Sequence, residues 1–65
     1  MPIIRVEMIE GRSVEQKRQL ARKITDAIVE IVKTKPENVR IFFYDLPKSN
    51  MAHAGTLRVD QEKAT

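Results

Sequence analysis

The chain has no cysteine and no tryptophan, a single histidine, and only two glycines in its 65 residues. Without cysteine there is no disulfide framework, and one histidine cannot build a zinc site. No apolar run approaches the roughly 20 residues needed to cross a bilayer. The N-terminus carries Arg5 and Glu7 where a signal peptide needs an apolar segment. These features are those of a cytoplasmic chain with no membrane association. With two glycines there is no phosphate-cradling loop either.

A chain of 65 residues forms one domain, residues 1–65, and buries only about 60% of the surface that its unfolded form exposes. Domains this small are usually stabilised by disulfides, a metal or assembly. With the first two excluded, an oligomer is expected. The net charge is +3, which suits small anions and, less well, nucleic acid.

Residues 3–9, IIRVEMI, alternate. Ile4, Val6 and Met8 share one face, while Ile3, Arg5, Glu7 and Ile9 share the other, as in a strand. Ser13 and Gln16 have capping-box spacing, and Glu15 places negative charge in the first helical turn. Apolar residues then recur at Leu20, Ala21, Ile24, Ala27, Ile28, Ile31 and Val32, one broad helical stripe. Lys33 and Lys35 fit the last turn, and Pro36 stops the helix. After a short turn at Glu37 and Asn38, residues 39–46, VRIFFYDL, read as a second strand. Both of its faces are largely apolar, which predicts burial on both sides, including Phe42, Phe43 and Tyr44. The tail, residues 48–65, holds Gly55 and a weak alternation over residues 56–59 that suits a hairpin. Its last residues, DQEKAT, are expected to fray.

Strand, helix and strand in that order form a β-α-β unit with two parallel strands and a right-handed crossover. The fold class is therefore α+β, a β-α-β unit with a C-terminal hairpin. One helix covers one sheet face, so cover for the other must come from further copies.

Three residues carry candidate chemistry. Pro2 follows Met1. If Met1 is removed, the Pro2 nitrogen becomes a secondary amine, and an α-amino group titrates close enough to neutrality to act as a general base. If Met1 stays, that nitrogen is an amide without useful basicity, and the proline merely follows the start codon. Arg12 and Arg40 are the carboxylate-binding candidates. Each also reads as an ordinary surface arginine. Arg40, however, opens a strand that looks buried, where a charge needs a partner or a site. Parallel strands place Arg40 beside Pro2. Arg12 lies past the other end of the first strand, over about 20 Å away at ~3.3 Å per residue. A site holding all three needs more than one copy, for example through antiparallel pairing of two first strands.

The start Pro-Ile-Ile-x-Val, the run Ile9-Glu10-Gly11-Arg12-Ser13 followed by Glu15-Gln16-Lys17, the pair Val39-Arg40 and Gly55 together resemble the 4-oxalocrotonate tautomerase family. The resemblance covers roughly residues 2–57. It implies a small β-α-β protein that assembles as a homohexamer, a trimer of dimers, and isomerises keto and enol acids without a cofactor or metal. It also implies a role for each residue. Pro2 would shuttle the proton, Arg40 would bind the 2-oxo group and its carboxylate, and Arg12 would hold a remote carboxylate. Ile9 would be an apolar substrate-binding position. Met51 stands where characterised tautomerases carry a wall aromatic, and methionine fills such space more softly. Dehalogenases and decarboxylases of the wider superfamily use the same proline with an added acidic residue, which the stretch around Met51 does not offer. The implied partner is a small carboxylate such as a 2-hydroxydienoate. His53 reads as a hairpin residue before a second acid or base. The competing reading is a non-enzymatic or catalytically weakened oligomeric binding protein of the same fold. Its basic residues lie mainly on the helix, where they form an ordinary solvated face.

Overall fold

The computed structural model describes residues 1–61. The first strand, β1, is Ile3–Ile9, as the alternation predicts. Helix α1 is Val14–Val32. Ser13 caps it with both halves of the capping box: the Gln16 N–H donates to Ser13 Oγ at 3.1 Å, and the Ser13 N–H donates to Gln16 Oε1 at 2.8 Å. The C-terminus differs from expectation. Lys33 is the C-cap in the left-handed region, φ 63°, and donates its N–H to the Val29 carbonyl, so Lys35 lies beyond the helix. A 3-10 turn at Pro36–Asn38 leads into β2, Arg40–Leu46, one residue shorter than predicted because the Val39 N–H bonds back to Pro36.

The two strands pair in parallel, Ile3 opposite Arg40 through Ile9 opposite Leu46. After a second 3-10 turn at Lys48–Asn50 comes an antiparallel hairpin, β3 (Ala52–His53) and β4 (Thr56–Leu57). Its two turn residues, Ala54 and Gly55, both have positive φ, 53° and 83°, as a two-residue hairpin with the matching twist requires. The predicted alternation stops at Leu57. Arg58–Gln61 form a short helix, α2, so Asp60 and Gln61 are helical rather than frayed. The rest of the expected frayed tail, residues 62–65, lies outside the described residues. Among the described residues, no helix is long and apolar enough to cross a membrane.

The packing shows which sheet face one chain covers. Ile4, Val6 and Met8 of β1 and Ile41 and Phe43 of β2 are half-buried under α1. The other sheet face is open. Ile3 is 65% exposed, Phe42 47% and Tyr44 42%, so Phe42 and Tyr44 are not buried within one chain, and Arg40 is exposed as well. One helix covers only one side of two strands. The helix stripe is also only partly used: Ala21, Ile24 and Ile28 are half-buried, whereas Leu20, Ala27, Ile31 and Val32 stay exposed. No described residue is fully buried. For a 7.5 kDa chain with this much apolar surface in water, that is half of a hydrophobic core.

Candidate active site

The two ends of β1 carry different halves of the predicted residue set. At the N-terminal end, the Pro2 carbonyl accepts a hydrogen bond from the Arg40 N–H at 3.0 Å. This bond opens the parallel ladder and brings Pro2, which is half-buried, directly beside Arg40. The missing amide hydrogen of Pro2 costs nothing here, because this residue contributes its carbonyl to the ladder. Met1 is 71% exposed, and its sulfur lies against the Arg40 side chain, with Nε 3.1 Å from Sδ. While Met1 is present, the Pro2 nitrogen is an amide and the Arg40 guanidinium is partly engaged. Removal of Met1 frees both.

At the far end, the Glu10 N–H donates to the Leu46 carbonyl at 2.9 Å and closes the ladder. Gly11 then adopts φ 121°, a backbone conformation that side-chain-bearing residues rarely reach. That turn delivers Arg12 to the step just before the Ser13 cap. Arg12 stands on the rim of an open groove of about 400 Å³ between the strand end and α1. Met8 and Leu20 supply its apolar surface, and Gln16, Gln19, Lys17 and Lys23 complete the rim. Ile9, half-buried, ends β1 at the same side. Met51, 40% exposed, follows the far end of β2 after one 3-10 turn. The structure therefore joins Pro2 with Arg40 but holds Ile9, Arg12 and Met51 a strand length away. Seven residues of strand are about 23 Å.

Two features were not anticipated. Lys17 forms an ion pair with Asp45 across the helix–strand interface. Asp45 falls on the helix-facing side of β2 with Ile41 and Phe43. A carboxylate in that alternation needs a cation, and this was the signal available in the sequence. The Arg12 groove had no local signature, because Met8 and Leu20 meet only through the crossover. His53 lies in the exposed hairpin, in β3. The Gln61 side-chain amide donates to the carbonyls of His53 and Thr56 and ties α2 to the hairpin. Among the described residues no three carboxylate, thiol or imidazole groups gather as a metal set would.

A family model described as tautomerase enzyme matches residues 2–61. The chain belongs to the tautomerase family. The tautomerase is an isomerase, and its named relatives are tautomerases. It is 46% identical over 55 residues to a 2-hydroxymuconate tautomerase of Comamonas testosteroni, covering 85% of this chain and 87% of the relative. It is 38% identical over 58 residues to a probable tautomerase of Streptococcus agalactiae, covering 89% and 97%. Among solved structures, a 4-oxalocrotonate tautomerase isozyme of Methylibium petroleiphilum superposes with a TM-score of 0.93 at 36% identity, covering 98% of this chain and all of that one. A heterohexameric 4-oxalocrotonate tautomerase of Chloroflexus aurantiacus superposes with a TM-score of 0.85 at 30% identity, covering 92% and 97%.

Proposed function

We propose that this tautomerase interconverts the enol and keto forms of a small 2-hydroxydienoate or 2-oxo acid at a site shared between copies of the chain. The observation that carries the reading is the Arg40 N–H bonded to the Pro2 carbonyl. It makes main-chain neighbours of a potential base and a potential bidentate cation. With Met1 removed, the Pro2 amine takes the proton from the enol hydroxyl. Arg40 binds that oxygen and the adjacent carboxylate, so the charge developing on oxygen as the proton leaves is stabilised where it forms. The protonated proline then returns the proton to a carbon of the conjugated chain. Nothing is gained or lost overall, so the isomerisation requires no oxidant, reductant or cofactor.

A diacid places its second carboxylate away from Pro2, and Arg12 is the cation for it. Arg12 of the same chain is a strand length off, so Arg12, with Ile9 and Met51, comes from a second copy. Assembly is supported by the absence of any fully buried described residue and by the open sheet face. A homohexamer of three dimers is the form adopted for this reading, and the Chloroflexus aurantiacus relative is itself a heterohexamer. The test is ketonisation of 2-hydroxymuconate by protein whose intact mass shows Met1 removed. Turnover that is lost in Pro2→Ala is the expected result. Undiminished turnover in Pro2→Ala overturns the role of the proline.

A further inference from the structure

The groove beside Arg12 carries two cations that nothing in the chain neutralises. Five polar side chains line it, and three of them are already engaged. Gln16 is held in the capping box with Ser13, Lys17 is paired with Asp45, and the Gln19 amide donates to Glu15 at 3.4 Å. The side chains of Arg12 and Lys23 make no hydrogen bond or ion pair among the described residues. These two stand at opposite ends. Gln16, Leu20 and Lys23 follow at i, i+4 and i+7 on one face of α1. Lys23 is therefore about 10 Å along the helix from Gln16. Arg12 precedes the Ser13 cap, at the Gln16 end. Between the two cations lies the apolar floor of Leu20 and Met8. The volume of about 400 Å³ is that of a small-molecule site.

From this arrangement we infer that the groove binds a linear dicarboxylate with an apolar backbone, one carboxylate on Arg12, the other on Lys23 and the carbon chain on Met8 and Leu20. Arginine takes a carboxylate with two parallel bonds, and lysine takes one as a point charge. Asp45 sets the charge of the site. By neutralising Lys17 it leaves one free cation at each end and none beside the floor. A ligand with its charges about 10 Å apart spans both cations, whereas a short diacid reaches only one. The inference goes beyond the shared catalytic site, and only its kinetic consequence rests on that reading. A dicarboxylate in the groove occupies the arginine assigned to the remote carboxylate of a substrate. It therefore competes with a diacid substrate and spares a monoacid.

The experiment titrates protein lacking Met1 with succinate, azelate and nonanoate, followed by calorimetry and by the methyl signals of Met8 and Leu20. Azelate should bind about tenfold more tightly than either succinate or nonanoate and shift both methyl signals. Lys23→Ala and Arg12→Ala should each weaken azelate binding roughly three- to tenfold. Arg22→Ala, which removes an exposed helix cation outside the groove, should not. Equal affinity for azelate and succinate, or an equal loss in Arg22→Ala, reduces the effect to diffuse charge attraction and overturns the site. Methyl signals that ignore every dicarboxylate and move only with protein concentration mark a contact between copies and overturn it as well. Inhibition of 2-hydroxymuconate turnover by azelate, with phenylenolpyruvate spared, supports both the groove and the assigned role of Arg12. Azelate that binds as expected but inhibits both substrates equally leaves the groove standing and overturns that role.

Discussion

The backbone N–H of Arg40 donates to the carbonyl of Pro2 at 3.0 Å, so the first bond of the parallel ladder also joins the two principal residues of the proposed site. The arginine is positioned by its main chain. Its guanidinium is exposed and contacts only Met1 through Nε among the described hydrogen bonds.

Substitutions at Arg40 should consequently change chemistry and leave the fold in place. Arg40→Ala is expected to lower kcat by roughly 10²–10³, the loss typical of removing one oxyanion-stabilising donor. Arg40→Lys should recover only part of this, because an ammonium cannot hold an oxo oxygen and a carboxylate with two parallel bonds. Steady-state kinetics on 2-hydroxymuconate, beside circular dichroism spectra that stay unchanged, measures both.

Pro2 makes a sharper demand. Pro2→Ala retains a terminal amine if Met1 is removed, but alters its basicity and its position. A loss of about 10²–10⁴ in kcat/KM is expected for displacing a general base. Protein that keeps Met1 should show a loss at least as large with no substitution at all. Intact-mass spectra paired with rates across preparations test this, since activity should track the fraction of chains that begin at Pro2.

Much of this arrangement was legible in the sequence, for identifiable reasons. The alternation in IIRVEMI and the Ser13–Gln16 box are local signals, and β1 and the α1 start follow them to the residue. The adjacency of Pro2 and Arg40 followed from parallel pairing alone. The burial of Phe42 and Tyr44 is not reached within one chain, as expected of a sheet face whose cover was assigned to further copies. A strand apolar on both faces records its surroundings in the assembly, and one chain supplies cover for only one face. The helix stripe behaves in the same way: Leu20, Ala27 and Ile31 were counted with Ala21, Ile24 and Ile28, yet only the latter three are half-buried. The Lys17–Asp45 pair lies 28 residues apart in sequence, so only the crossover brings it together.

Gly11 and Ser13 together aim Arg12, and their variants should separate stability from substrate choice. Ser13→Ala removes the capping oxygen and should cost about 1 kcal/mol. Gly11→Ala meets no neighbouring atom, but must adopt φ 121° or move the turn, at a cost on the order of 1–3 kcal/mol. Chemical denaturation at one fixed protein concentration measures both, since assembly makes stability concentration-dependent. Gly11→Ala should in addition raise KM for a diacid more than for a monoacid, because it displaces the arginine assigned to the remote carboxylate.

A site shared between copies makes a prediction that no single-chain site can meet. Pro2→Ala and Arg12→Ala should each be nearly inactive on a dicarboxylate. In a pair made of one copy of each, one of the two sites receives an intact proline from the Arg12 variant and an intact arginine from the Pro2 variant. Random association in a one-to-one coexpression therefore restores about a quarter of the sites. The other site of each mixed pair carries both substitutions and stays silent. Recovery requires subunit exchange, so mixing the two purified variants should restore activity only as fast as mixed oligomers appear by native mass spectrometry. If both residues of a site came from one chain, the mixture would show no more than the mean of its two components. With Arg12 a strand length from Pro2 within one chain, the proposed site predicts the first outcome.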